Sequence, residues 1–124
     1  GLQKFQSDDE RRFALLIDRH EPRVQRWLKP APGQFQIEYR SGTPYEPDFV
    51  VEGDDRFFIV EIKAANEMQD PDVQAKARAA TTWCQHASGQ AKQTSAKPWQ
   101  YALVPSTALN AGATFQGLLG EFGS

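Results

Sequence analysis

The chain has 124 residues, 40% hydrophobic and 24% charged, and its 14 Lys and Arg against 16 Asp and Glu give a net charge of −2. These values fit one globular domain that buries roughly two-thirds of its unfolded surface, and the near-neutral balance does not advertise a polyanion partner. A single cysteine, Cys84, excludes an internal disulfide and any multi-cysteine zinc site and suits a reducing, cytoplasmic setting. No run reaches the length of a membrane span, and no signal-peptide pattern opens the chain. The first residues, Gly1-Leu-Gln-Lys4, include no Met; an excised domain of a longer chain would begin this way, and so would a chain after tag removal.

Ser7-Asp-Asp-Glu10 reads as a capping box that starts a helix running to about His20, with Phe13, Leu16, Ile17 and His20 at helical spacing. At 100° per residue Glu10 falls on the same stripe as Phe13, Ala14 and Ile17, so its carboxylate either caps the helix or points at the sheet. Glu21-Pro22 ends that helix. Arg23–Lys29 leaves two readings open, a short helix or an extended segment. Phe35, Ile37 and Tyr39 alternate with polar residues and predict a half-buried strand over 35–40, with turns at 30–33 and 41–44. Two further strands are expected, from Tyr45 to Glu52 and from Phe57 to Lys63, joined by a turn at Gly53-Asp-Asp-Arg56.

Asp70-Pro-Asp72 carries the N-cap, N1 proline and first-turn acid of a helix spanning about 70–88, with Val73, Ala77, Ala80, Cys84 and Ala87 as its apolar stripe. Ser88–Lys97 reads as polar loop, Trp99–Val104 as a strand, and the apolar residues of 115–119 as a short terminal helix weakened by glycines. The order is helix, three strands, helix, strand. The first three strands are expected to form an antiparallel meander, and the helix near 70–88 is long enough to cross over and place the last strand parallel to the third. The expected fold class is α/β, a mixed four-stranded sheet flanked by helices.

Asp48, Glu61 and Lys63 interrupt otherwise apolar strands, and strand interiors rarely hold charges that are not paired or bound to a metal. Glu61 and Lys63 share a face, roughly 7 Å apart along the strand, and hairpin geometry brings Asp48 beside them. Phosphodiester hydrolysis needs charge neutralisation on the phosphate and an activated water. A divalent metal held by carboxylates supplies both, and an adjacent lysine can hold the water and stabilise developing charge. With Glu10, Asp48 and Glu61 contributing −3, the rest of the chain sums to +1. Against this stand a plain salt bridge for Glu61 and Lys63, a turn role for Asp48 after Pro47, and a snorkelling surface lysine for Lys76. Trp27, Trp83 and Trp99 read as core rather than base-stacking groups, and His20 and His86 lack ligand spacing.

Pro47-Asp48, thirteen residues before Glu61-Ile62-Lys63 on an apolar strand, resembles the PD-(D/E)xK nuclease superfamily. The resemblance covers nearly the whole chain. It is greatest to the C-terminal endonuclease domain of type III restriction enzyme Res subunits and related helicase-nucleases. The residues that carry it are Glu10-Arg-Arg-Phe-Ala14, Arg23-Val-Gln-Arg-Trp27, Tyr45-Glu-Pro-Asp-Phe-Val-Val51, Val60-Glu-Ile-Lys-Ala-Ala65 and Asp72-Val-Gln-Ala-Lys-Ala77 with Trp83.

The resemblance implies a restriction-endonuclease-like αβββαβ core over 1–124 and a DNA endonuclease using Mg²⁺, with Mn²⁺ as a possible substitute. Asp48, Glu61 and the Ile62 backbone carbonyl would hold the metal. Lys63 would position the attacking water, Glu10 would be the helical glutamate many members use, and Lys76 would be a phosphate contact or stand just behind one. Implied partners are double-stranded DNA, a helicase or translocase in the parent chain, and a methyltransferase subunit. No GxxxxGK[ST] occurs, so ATP hydrolysis would lie elsewhere. A structure-specific repair or junction nuclease, and a catalytically silent DNA-binding module on the same fold, are the competing expectations.

Overall fold

Strand and helix boundaries follow where the backbone can and cannot be paired. The computed structural model describes residues 7–20, 23–40 and 42–124. Helix α1 (Asp8–His20) starts where Ser7 Oγ accepts the Glu10 N–H at 3.2 Å, and it buries Phe13, Ala14 and Ile17. The expected helix break at Glu21-Pro22 lies outside the described residues, as do Ser41 and the first six positions.

The segment after α1 is extended: β1 (Val24–Leu28) tucks Val24 and Trp27 toward the core and pairs with a later strand. The expected strand over 35–40 is found as β2 (Ile37–Arg40), but outside the main sheet. It forms a separate hairpin with β3 (Thr43–Tyr45) around Gly42, whose φ of 71° is a left-handed conformation that glycine adopts without strain.

The single strand expected from Tyr45 to Glu52 is split into β3 and β4 (Phe49–Gly53). Proline supplies no N–H to a ladder; Pro44 falls within β3 and Pro47 in the gap, so the chain leaves one sheet and enters the other there. The meander is therefore β1, β4 and β5 (Phe57–Lys63), not one that begins at residue 35. Helix α2 (Pro71–Thr94) then crosses over to β6 (Trp99–Pro105), which runs parallel to β5. The sheet order is β1-β4-β5-β6. With α3 (Phe115–Phe122), the chain is an α/β domain of three helices, a mixed four-stranded sheet and a two-stranded hairpin.

Both faces of β5 are covered, which is why its sequence is a nearly unbroken apolar run. Phe58, Val60 and Ile62 pack with α1 and α3, while Ile59 packs with Ala80 and Cys84 of α2 and with the β2–β3 hairpin. This is the alternation that the sequence predicts. Burial pushes the Cys84 thiol up to about 12, so it is an inert core group. Among the described residues no helix is long and apolar enough to cross a membrane.

Helix α2 runs six residues beyond the expected 88. Gly89 costs a helix about 1 kcal/mol, which the favourable Gln90-Ala-Lys-Gln93 and the buried Ala91 outweigh. Ser88 also fastens the helix to β6: its Oγ donates to the Trp99 carbonyl at 3.1 Å and accepts the Trp99 N–H at 2.9 Å. The Asp70 side chain caps the other end by accepting from the Asp72 and Val73 N–H groups at 2.8 and 3.3 Å. The helix stops at Ser95, which sits at φ 56°, a conformation that costs a residue with a Cβ roughly 1 kcal/mol. Ser95→Gly is therefore expected to raise stability to unfolding by up to about 1 kcal/mol. Urea titration checks this, and an unchanged or lower midpoint would place the helix end elsewhere.

Candidate functional site

The β4–β5 register pairs Phe49 with Val60, so Asp48, just ahead of β4, stands opposite Glu61. There the backbone ladder gives way to side chains. The Ile62 N–H donates to Asp48 Oδ2 at 2.9 Å, and the Asp48 N–H donates to Glu61 Oε1 at 3.2 Å. Each carboxylate is thus fixed by the strand that carries the other. One strand residue directs its N–H and C=O to the same edge, so the Ile62 carbonyl also points toward the chain around Asp48. Pro47, next in register, has no N–H to offer that carbonyl.

Glu61 is 7% exposed and lies on the face of β5 that looks toward α2. Its Oε1 also accepts from the Tyr45 hydroxyl at 2.6 Å, and the Tyr45 and Tyr101 hydroxyls lie 3.2 Å apart. Its Oε2 faces the Lys63 ammonium at 3.8 Å. Among the described residues Asp48 Oδ1 makes no hydrogen bond. One oxygen of each carboxylate is therefore tied to the frame, and among the described residues the other faces Lys63 in Glu61 and makes no hydrogen bond in Asp48.

The electrostatics follow from this crowding. Burial pushes the Asp48 carboxyl above its usual range, and the nearby Glu10 charge adds to the effect; the Ile62 N–H, Lys29 and Lys63 oppose it. Burial raises Glu61 further, reinforced by Asp48, against the opposing Tyr45 hydrogen bond and Lys63. Burial, together with Glu61, also holds the Tyr45 hydroxyl well above its ordinary value, so it remains a donor.

Glu10, 5% exposed, comes from the first turn of α1. Its Oε1 takes the ammonium of Lys29, from just beyond β1. Lys76 reaches the site from α2, paired with Asp72 at 3.2 Å and lying over the rings of Tyr39 and Tyr45 at 5.4 and 5.7 Å. Glu10, Asp48, Glu61, Ile62, Lys63 and Lys76 all line one open cleft of about 530 Å³ at the end of the sheet. All six residues expected at the site thus meet in one place.

Two neighbours were not foreseen. Tyr45 lies three residues before Asp48 with its ring buried, and its role depends on the break at Pro47. Lys29 follows a segment whose conformation the sequence leaves open. Among the described residues no three His, Cys, Asp or Glu side chains are grouped so as to hold a metal ion by themselves. The available donor set is two buried carboxylates, each with an oxygen to spare, and a backbone carbonyl. Hard oxygen donors in small number, with room for water, fit Mg²⁺ better than an ion that needs a full protein cage. A scan against protein-family models finds no match to this chain, and a search of the curated proteins finds none either.

Carboxyls held above their ordinary range keep protons in the fold that the unfolded chain has released once the pH passes about 4. Their contribution to stability is therefore full at acid pH and is lost as the pH rises through neutrality. Without divalent ions, Glu61→Gln should raise stability by about 1–2 kcal/mol at pH 8 and by less at pH 5. Thermal melts in chelator at both pH values check this; a loss of stability at pH 8 would mean that burial of charge does not govern the site.

Proposed function

We propose that this chain is a Mg²⁺-dependent DNA endonuclease domain with a restriction-endonuclease-like αβββαβ core, of the PD-(D/E)xK type. The observation that carries this reading is the interlock of Asp48 and Glu61 across the β4–β5 end, with Lys63 beside them. The order α1, β1, β4, β5, α2, β6 supports the fold assignment, the β2–β3 hairpin being an insertion between its first two strands.

In this reading Asp48, Glu61 and the Ile62 carbonyl hold the metal. When bound, Mg²⁺ neutralises charge on the scissile phosphate and makes a water more acidic. Lys63 stands on the same face as Glu61, two residues on. From there its ammonium orients the attacking water and offsets the charge that builds on the phosphate oxygens. Tyr45 keeps Glu61 from rotating away from the ion. Lys76 adds a positive charge on the α2 side of the cleft, where a neighbouring phosphate would lie. Glu10 is a further carboxylate on the α1 side.

With a net charge of −2, nonspecific affinity for DNA is low and salt-sensitive, which suits a domain brought to DNA by a motor such as the helicase of a type III restriction-like enzyme. Double-stranded DNA is the substrate proposed.

Asp48→Ala and Lys63→Ala should each lower Mg²⁺-dependent cleavage of duplex DNA by about 10²-fold or more, leaving the fold intact by circular dichroism. Equal cleavage after Asp48→Ala would sink the assignment. Branched and single-stranded DNA run in parallel separate a junction or repair nuclease from a duplex endonuclease. Calorimetry with Mg²⁺ or Mn²⁺ identifies a silent binding module, which would bind neither ion.

A further inference from the structure

We propose that Lys29 is a built-in cation of this cleft: its ammonium occupies the place a second metal ion would take beside Glu10 and Asp48, so the site holds one divalent ion and Glu10 is a partner of Lys29 rather than a metal ligand. The inference rests on the metal-site reading above and specifies its stoichiometry and the role of Glu10.

The placement of Lys29 follows from strand register. Leu28, the last residue of β1, pairs with Val50, so Lys29 falls beside Phe49 and next to Asp48. Its ammonium lies 5.7 Å from the centre of the Phe49 ring. Trp27 and Val51, the preceding pair on that face, pack into the core under α1. Alternation therefore directs Lys29 toward α1, where its ammonium closes on Glu10 Oε1. The side chains of the pair are 13% and 7% exposed. A buried lysine persists as a charge only when paired, and here the carboxylate that would otherwise bind a second ion is its partner.

Two further observations agree. Glu10, Asp48 and Glu61 line one cleft, yet among the described residues no three acids are grouped to hold an ion. The Asp48 carboxyl is also acted on in opposite directions by Glu10 and by Lys29, as it would be beside a neutral pair. A second divalent ion at Glu10 would have to displace an ammonium already seated there.

Isothermal titration with Mg²⁺ and counting of bound Mn²⁺ by electron paramagnetic resonance test this on the intact chain. Wild type should bind one ion. Glu10→Gln should still bind one, with affinity changed by less than about threefold. Lys29→Met, which leaves Glu10 without its ammonium, should bind a second, weaker ion, and Mg²⁺ should raise its melting temperature more than that of wild type. Two ions on wild type, or an affinity loss of roughly tenfold or more in Glu10→Gln, would overturn the proposal. If Lys29→Met does not fold, the wild-type count and Glu10→Gln still decide. Failure of wild type to bind any ion overturns the proposal together with the Asp48 and Glu61 assignment, and is told apart from the other failures by its zero stoichiometry.

Discussion

The Ile62 N–H, the Asp48 carboxylate, the Asp48 N–H and the Glu61 carboxylate close a small ring at the point where the β4–β5 ladder runs out. In a regular antiparallel pair the next rung would be made by backbone groups, but Pro47 has no N–H and the chain turns away toward β3. Asp48 takes over the rung with its side chain. Two acids that would repel each other are thereby tied to positions set by backbone hydrogen bonds. Burial makes ionising either acid costly, the Asp48 charge adds to that cost at Glu61, and Lys63, 3.8 Å from Glu61, offsets only part of it, since both carboxyls stay above their ordinary range. The remainder is borne by the packed sheet.

That sheet can bear it because β5 is central and buried on both faces. Phe58, Val60 and Ile62 are fixed by α1 and α3, and Ile59 by α2, so Glu61 cannot swing into solvent without disturbing a covered strand. The Tyr45–Tyr101 pair extends the restraint below Glu61. Tyr45 belongs to the β2–β3 hairpin and Tyr101 to β6. The hairpin that sits outside the main sheet therefore has a structural consequence for the site: it supplies the hydroxyl that directs Glu61 Oε1, leaving Oε2 toward Lys63. Crowded carboxylates and a rigid surround go together here.

Much of this was legible in the sequence because the informative residues contradict their surroundings. Asp48, Glu61 and Lys63 stand out against apolar strands, and a period of two assigns Glu61 and Lys63 to one face without further knowledge. The Asp70-Pro71 start of α2 and the parallel placement of β6 are likewise local or length-determined. What was not legible depends on which backbone edge is free to pair. Arg23–Lys29 becomes a strand because β4 offers it an edge, and residues 35–40 go elsewhere because prolines at 44 and 47 prevent one continuous strand. Helix α2 outruns its expected end for a tertiary reason, the docking of Ser88 on Trp99 and the burial of Ala91. Lys29 was hidden by the same uncertainty as β1: its partner is decided by a register, and that register belongs to a strand whose existence the local sequence does not dictate.

The two faces of the sheet contribute unlike halves of the cleft. From the α2 side come Glu61, Lys63, Tyr45 and Lys76, two cations and a carboxylate directed by a neutral donor. From the α1 side come Glu10 and Lys29, a pair that cancels itself. Asp48 lies between them at the sheet's end, acted on by both. The α2 side also holds ion pairs, Lys63 at 3.8 Å from Glu61 and Lys76 at 3.2 Å from Asp72, but there Asp48 and Glu61 each retain an oxygen not tied to the frame. On the proposed reading, a metal ion finds its untied oxygens there rather than beside Glu10, whose carboxylate holds the Lys29 ammonium. On the same reading, the phosphate would meet Lys63 and Lys76 on that side. The asymmetry thus gives the cleft a direction, with a close ion pair under α1 and the untied carboxylate oxygens toward α2, and it originates in the pairing of the first turn of α1 with the residue after β1.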